Sequence, residues 1–251
     1  MKLKNFRQLF FFPLALTFMF LNFSLAHAEA LESINVATIE VAPFGLNQKG
    51  NNFGLYYEFG NKIVERAGYK PNNKIVPFAR AHESVISGIA DFTIMFSTDA
   101  LEMNAHQSKP IIEFENLIIP AKHFQLKKLS DVNNKRIGII RAGCADLLAK
   151  KELTPKFSEF NDYDQGVNLL INGRVDGICG SIIPVRYSLA KLNRVDEFVK
   201  KALVVSKRKA YVHFSKKLPQ DKIDKINKAI NDLIKENYFQ NSARFYLNPS
   251  K

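Results

Sequence analysis

Beyond its N-terminal segment, the sequence lacks several features that would assign it to a common class. No stretch after residue 21 is apolar for long enough to span a bilayer. There is no low-complexity segment and no recognisable nucleic-acid-binding motif, so nucleic acid is not an expected partner. Metal-ligand spacing is also absent from the histidines of this part, which are His82, His106, His123 and His213. We therefore expect neither a metal nor a cofactor.

Cysteine is scarce, with only Cys144 and Cys179 in 251 residues. Both follow or end apolar runs that we predict to be strands. Export would allow a disulfide between them. Two free buried thiols are the alternative, and the sequence leaves both open.

The N-terminus has the pattern of a secretory signal peptide. Basic residues stand at positions 2, 4 and 7, an apolar stretch covers residues 9–21, and Ala-His-Ala occupies 26–28. The alternative is a membrane anchor, which Pro13 disfavours because it interrupts an already short apolar run. We expect residues 1–28 to be a cleaved signal peptide and the remaining chain to be periplasmic.

Positive charge is in excess. The formal net charge is +12, and it falls to +9 without the three basic residues of the predicted signal peptide. Basic residues are spread along the chain, with clusters at 207–209 and 216–217. We interpret them as a solvated surface, and attraction of an anionic ligand or an anionic envelope surface is the alternative.

Hydrophobic periodicity predicts alternating strands and helices. The first series is a strand at 33–40, a helix at 55–68, a strand at 74–78, a helix at 79–88 and a strand at 91–97. A second series starts again at residue 135 and reaches a strand at 175–181. One or two strands at 201–214 and a long helix at 219–237 follow. Such an order is typical of α/β proteins.

The two series share a short signature. Gly88 and Asp91 precede a strand that ends at Ser97, and Gly173 and Asp176 precede a strand that ends at Ser181. Glycine can end the helix, and aspartate can cap the turn into the strand. The repeat predicts two similar lobes, whose ligand would bind at the carboxyl ends of the strands.

The order of several segments resembles the bacterial extracellular solute-binding proteins of the amino-acid-binding type, family 3. The similar segments are INVATIEVAPFG, FGLYYEFGNKIVERAG, KIVPFARAHESVISGIADFTIMFS, LSDVNNKRIGIIRAG and NLLINGRVDGICGS. The resemblance implies a periplasmic-binding-protein-like fold of type II, with two α/β lobes joined by two crossing strands. It places the crossings near 119–121 and 213–216. Lobe one would then comprise 29–119 and 216–251, and lobe two 120–215.

The usual arginine of this family is missing here. Many similar proteins follow the lobe-one strand with Thr-x-Thr-x-Glu-Arg, whose arginine binds the ligand carboxylate. In this sequence Thr98 and Glu102 match, but Ala100 and Met103 replace the second threonine and the arginine.

The second lobe departs from the family pattern as well. Ser181 stands where similar proteins carry an aspartate for the ligand ammonium. Gly143 matches the family pattern, and Cys144 replaces a serine or threonine. Both charged anchors for an α-amino acid are therefore absent.

Candidate ligand contacts share a position at or next to a predicted strand end. They are Phe44, Phe78, Arg80, Ser97, Thr98, Arg141, Gly143, Cys144 and Ser181. Arg80, and Arg141 from the opposite wall, would bind an anion, whereas surface or salt-bridge roles are their alternatives. The two phenylalanines would be apolar platforms or core residues. The hydroxyl groups would bind ligand, cap a turn, or do both.

The preferred hypothesis is a monomeric periplasmic binding protein. It would capture a small polar or anionic solute and deliver it to a membrane transporter or sensor, without catalysis. One alternative is a dehydratase-like enzyme on the same fold, with Glu40 or Glu102 as the acid or base. The other is an exported regulator that binds a protein.

Overall fold

The computed structural model describes residues 31–140 and 143–247. The predicted signal peptide and Arg141 lie outside the described residues. The strands are β1 (Ser33–Ile39), β2 (Leu46–Gln48), β3 (Asn51–Phe53), β4 (Lys70–Val76), β5 (Phe92–Phe96), β6 (Ala105–Gln107), β7 (Ile112–Pro120), β8 (Arg136–Ile140), β9 (Lys156–Phe160), β10 (Gly177–Ser181) and β11 (Leu203–Ser215). The helices are α1 (Leu55–Arg66), α2 (Phe78–Ser87), α3 (Asp99–Asn104), α4 (Ala145–Ala149), α5 (Tyr163–Ile171), α6 (Ile182–Ala190), α7 (Val195–Val199), α8 (Gln220–Lys235) and α9 (Tyr238–Leu247). None of these helices combines the length and the apolar character that crossing a membrane requires.

The predicted α/β class is confirmed. In the order β4-β1-β5, three parallel strands form one group, and in the order β10-β8-β9 three parallel strands form another. Helices α1 and α2 connect the strands of the first group, and α4 and α5 those of the second. Parallel strands need such crossover helices, and they bring all their carboxyl ends to one edge.

Two long antiparallel strands join the groups. β11 pairs with β5 over Ala210–Phe214 and with β7 over Leu203–Ala210, and β7 in turn pairs with β10. Together with β6, which pairs with β11, these described strands form one nine-stranded sheet in which β11 and β7 lie between the two groups. The sequence predicted one or two strands at 201–214, and a single strand with a register shift between Val204 and Ser206 is found.

The apolar core is divided in the same way. One cluster contains residues from 34–114 and 210–246 together with Ile183, and two others contain residues from 117–205. We call residues 31–114 and 210–247 the first half, and residues 117–205 the second half. The stripe of α1 predicted from its spacing is buried, because Leu55, Phe59 and Ile63 are all inaccessible to solvent.

The repeated Gly-x-x-Asp signature has the same structure in both halves. Gly88 and Gly173 both have positive φ angles, 78° and 65°, which favour glycine. The Asp91 carboxylate accepts a hydrogen bond from the Asn35 backbone N–H at 2.7 Å. Asp176 accepts one from the Arg136 backbone N–H at 2.8 Å. Each aspartate thus ties its strand to the neighbouring parallel strand, whereas we predicted a cap within its own turn.

Candidate ligand-binding site

Carboxyl ends of the parallel strands are the natural place for a ligand site. In the first half, β1, β4 and β5 lead into residues 40–44, 77–80 and 97–98. In the second half, β8, β9 and β10 lead into residues 143–144, 161–164 and 181–182. Both halves therefore present short loops and helix starts at this edge.

A cavity is lined by loops from both halves. Glu40, Val41 and Ala42 follow β1, and they meet Ile140 at the end of β8 together with residues 161–164 after β9. The empty space is about 320 Å³, including a part open to solvent. Val41 packs against the apolar cores of both halves, so this loop is one place where the two are in contact.

Two of the three acidic residues that line this cavity, Asp162 and Asp164, are engaged locally. Asp162 caps α5, because its carboxylate accepts a hydrogen bond from the Gln165 N–H at 2.8 Å. Asp164 forms an ion pair with Lys191 at 2.8 Å. Burial opposes ionisation of Asp164, but the interactions of its carboxylate with the Lys191 ammonium and with the Ser188 side chain together outweigh it and lower the pKa of the carboxyl group. Glu40 is exposed at the rim.

Phe44 lies in the core of the first half. Its side chain is only 3% exposed and stacks on Tyr56 with a centroid distance of 4.2 Å. The Phe114 ring also packs near it, with a centroid distance of 6.3 Å. This position favours the packing role, since a ligand would reach only an edge of the ring.

Phe78 and Arg80 lie in the first turn of α2. Phe78 does not end a strand as we predicted, because β4 stops at Val76 and Pro77 is the N-cap residue of the helix. The Phe78 ring is 43% exposed. Arg80 is also exposed, and its guanidinium has no hydrogen bond or ion pair within residues 31–140 and 143–247.

Ser97 and Thr98 both take part in local hydrogen bonds. The Ser97 hydroxyl donates to the Glu102 carboxylate at 2.8 Å and accepts from the Gln107 amide at 3.0 Å. Thr98 is the N-cap residue of α3, and its hydroxyl accepts from the Leu101 N–H at 3.3 Å. The capping role considered from sequence is therefore present at Thr98.

Cys144 and Cys179 form a disulfide in the structure, with their Cα atoms 6.0 Å apart. This resolves the choice that the sequence left open, and it leaves Cys144 without a thiol for ligand contact. Gly143 precedes it in a tight turn, where a Cβ atom would lie 2.6 Å from the Ile140 carbonyl oxygen. A side chain at this position would displace the backbone.

Ser181 is buried at the end of β10, with 5% of its surface exposed. It is the N-cap residue of α6, but its side chain makes no capping bond. Among the described residues, the Ser181 hydroxyl oxygen has no hydrogen-bond partner. A buried polar atom without a partner is costly, and a ligand or water would relieve that cost.

Arg208 is the residue that sequence reasoning missed. We assigned 207–209 to the solvated surface, yet Arg208 is half-buried and its guanidinium donates to the Ser97 carbonyl oxygen at 2.9 Å. Strand alternation was the available signal, since it puts Arg208 on the opposite face from Lys207 and Lys209.

Within the described ranges, no group of His, Cys, Asp and Glu side chains is arranged to hold a metal ion.

Comparison with known proteins gives the fold. No protein-family profile matches the sequence, and no curated protein matches it significantly. Among solved structures, an ancestral amino-acid-binding protein, described as a precursor of cyclohexadienyl dehydratase, matches with a TM-score of 0.70 and 15% identity, over 86% of this chain and 95% of that chain.

Two further structures are similar to the same degree. The arginine-, lysine-, histidine-binding protein ArtJ from Geobacillus stearothermophilus has a TM-score of 0.69 and 19% identity, over 87% of this chain and 95% of that chain. The GluR0 ligand-binding core in complex with L-glutamate has a TM-score of 0.70 and 16% identity, over 88% of this chain and 99% of that chain. The chain therefore has the type II periplasmic-binding-protein fold, as its resemblance to the amino-acid-binding solute-binding proteins predicts.

Proposed function

We propose that this protein is an exported member of the solute-binding proteins it resembles, and that it holds a small polar or anionic solute between two lobes. The observation that carries the proposal is the cavity lined by strand-end loops of both halves. Closure of the lobes on the solute would be a hinge motion. The fold neighbours, whose names describe amino-acid binding, support the same class of function.

The lobe boundaries predicted from sequence, 29–119 with 216–251 and 120–215, remain part of the proposal. The apolar clusters support a refinement of them. Phe114 packs in the first core and Leu117 in the second, while Val205 packs in the second and Ala210 in the first. We propose that the hinge lies between these residues in β7 and β11.

The solute need not be an α-amino acid. Met103, at the place of the usual carboxylate-binding arginine, is 66% exposed and carries no charge. Ser181, at the place of the usual ammonium-binding aspartate, is neutral. A solute with other polar groups fits this chain better than one with paired carboxylate and ammonium groups.

We further propose that the protein acts as a monomer in the periplasm and delivers its solute to a membrane transporter or a sensor. One of the similar structures is named as the precursor of a dehydratase, so the experiment below also tests the enzyme hypothesis. On that hypothesis Glu102, whose carboxylate accepts a hydrogen bond from the Ser97 hydroxyl, is one acid at the carboxyl end of β5.

Native mass spectrometry of protein purified from its own envelope tests the proposal. We expect one small molecule per chain, released on unfolding and chemically unchanged after prolonged incubation. A thermal-shift screen of amino acids, carboxylates and sugars provides the independent measurement. Conversion of the bound compound would favour the enzyme, whereas a co-purified protein without a small molecule would favour the regulator.

A further inference from the structure

Arg208 stands apart from its two basic neighbours in β11. Lys207 and Lys209 are exposed and lie opposite Glu115 and Glu113 of β7. Arg208 pairs with Phe114, and both side chains lie on the face of the sheet opposite to the two lysines. Arg208 is half-buried. The strand thus directs one cation of the three toward the interior.

The guanidinium of Arg208 is held in place by neutral groups. One amino group donates to the Ser97 carbonyl oxygen at 2.9 Å, and the guanidinium carbon lies 5.0 Å from the centre of the Phe96 ring. Both residues belong to the carboxyl end of β5, which is part of the candidate site. The cation–π contact fixes the plane of the group without neutralising its charge.

No carboxylate in the described part of the chain pairs with Arg208. Arginine has five N–H donors, and here a single hydrogen bond occupies one of them. A partly buried cation without a counter-ion is costly, and burial lowers the pKa of Arg208 accordingly. The remaining N–H groups of the planar Arg208 guanidinium match the geometry of a carboxylate.

A row of neutral polar side chains extends from Arg208 across three strands. Ser206 of β11 lies opposite Asn116 of β7, and Asn116 lies opposite Ser181 of β10, so the three side chains share one face. Arg208 is two residues from Ser206 on the same strand and therefore belongs to this face. The hydroxyl oxygens of Ser206 and Ser181 are buried and have no partner among the described residues.

We propose that Arg208 binds the carboxylate of the solute, and that Ser206, Asn116 and Ser181 bind hydroxyl or amide groups of the same molecule. This inference rests on the proposed function and names its ligand class, a small hydroxylated carboxylate without an ammonium group. It places these solute contacts outside the cavity lined by Glu40 and residues 161–164, because none of the four residues lines that cavity. The row contains no acid to pair with an ammonium. Its three strands span about 10 Å, which is two inter-strand spacings.

Arg208 acts here in place of the arginine that similar proteins carry after the lobe-one strand. It reaches the same loop from a different element, because its guanidinium is bonded to Ser97, the first residue after β5. Because the cation sits on β11, which pairs with strands of both halves, carboxylate binding would act on the strand that we propose as a hinge.

The test uses matched pairs of probes and calorimetric titration of the purified mature protein. D-gluconate is compared with D-glucose, and L-lactate with L-alanine, alongside any solute that native mass spectrometry identifies. The variants are Arg208→Gln, which removes the charge, and Arg208→Lys, which keeps it but removes the fork. Arg174→Gln is the control, because Arg174 is an exposed arginine at the opposite, amino end of β10.

We expect the carboxylate to bind more tightly than its neutral or ammonium-bearing match, and Arg208→Gln to weaken carboxylate binding roughly 10- to 100-fold. Arg208→Lys should recover part of the affinity, and Arg174→Gln should change nothing. Circular dichroism confirms that each variant is folded, and Arg208→Lys decides the test if Arg208→Gln is not.

Two results overturn the inference while the proposed function stands. One is a carboxylate solute whose affinity is unchanged by Arg208→Gln, and the other is preferred binding of glucose or alanine. If no probe binds and no solute co-purifies, the proposed function fails together with the inference.

Discussion

The two halves use the same device where a helix passes into a buried strand, and they differ at the other end of that strand. The carboxylates of Asp91 and Asp176 accept hydrogen bonds from equivalent backbone N–H groups of a neighbouring strand, those of Asn35 and Arg136. At the carboxyl ends, however, the Ser97 hydroxyl has two partners, whereas the Ser181 hydroxyl has none among the described residues. The repeated part thus maintains the sheet, and the divergent part is where a ligand would be distinguished.

The halves also differ in how their strand ends are held. The second half is cross-linked by the disulfide between Cys144, the N-cap residue of α4, and Cys179 in β10. The first half has no cysteine and instead buries a histidine, His213, in the strand next to β5. One wall is therefore stabilised covalently and the other by packing, so the two should respond to different conditions.

The largest effect is expected from breaking the disulfide. Replacing both Cys144 and Cys179 by alanine should lower the free energy of unfolding by about 4 kcal/mol, because the bond closes a loop across a sequence separation of 35. Urea unfolding of the wild type and the double variant, each with and without reductant, measures this difference in the free energy of unfolding. The double variant should be insensitive to reductant, and equal stability of both proteins would contradict a structural role of the bond.

The first half should instead be sensitive to pH through His213. Burial, with a smaller contribution from nearby His82, lowers the pKa of His213 to about 4, although a hydrogen bond that its ring N–H donates to the Met95 carbonyl oxygen opposes the shift. Because the unfolded chain binds the proton at an ordinary pKa near 6.5, the free energy of unfolding should fall as the pH drops from about 6.5 to about 4, by on the order of 3 kcal/mol.

Comparison of His213→Gln with the wild type isolates this contribution. The variant should lose the decrease between these pH values, whereas His106→Gln, at an exposed histidine of β6, should keep it. Urea unfolding at several pH values is the measurement. The same pH profile in all three proteins would show that His213 does not titrate as its burial requires.

A smaller effect tests the shared aspartate device. Asp176→Asn should cost about 1–3 kcal/mol, since it removes a charged acceptor from the Arg136 N–H and from His123. Burial opposes ionisation of Asp176, but these hydrogen bonds outweigh it and lower its pKa. The wild type should therefore lose its advantage as the pH falls below about 4 and through that lowered pKa.

Asp91→Asn is the matched variant in the first half, because it affects the Asn35 N–H without a histidine partner. It should cost less than Asp176→Asn when urea unfolding is measured at neutral pH. A larger cost for Asp91→Asn would mean that His123 contributes nothing to the second half.

Much of the fold follows from sequence patterns because the signals are local. The stripe of α1, the buried strand β5 and the two Gly-x-x-Asp turns are set by spacing within a few residues. Hydrophobic periodicity did not predict β7, and only the family resemblance placed a crossing strand near its end, at 119–121. The pairing of β7 with β10 and β11 is formed by residues far apart in the chain. The same limit applied to the disulfide, whose two cysteines are brought together only by the pairing of β8 with β10.

The candidate site was less predictable for a related reason. The predicted strand ends located Ser97 and Ser181 correctly at the edge of the sheet. Whether the Ser97 hydroxyl has hydrogen-bond partners depends on Gln107 and Glu102, and no sequence motif connects these two residues to Ser97. Arg208 was grouped with Lys207 and Lys209 by composition. Only its register opposite Phe114 distinguishes it from them.

The smallest effect compares the two strand-end serines directly. Ser97→Ala should lower the free energy of unfolding by about 1 kcal/mol, because it leaves the Gln107 amide and the Glu102 carboxylate without their shared partner. Ser181→Ala should be neutral or slightly stabilising without ligand, since it removes a buried hydroxyl that has no partner among the described residues. Urea unfolding of ligand-free protein measures both. If Ser181→Ala is the more destabilising of the two, the Ser181 hydroxyl serves the fold of the second half, and the difference between the strand ends does not mark a ligand site.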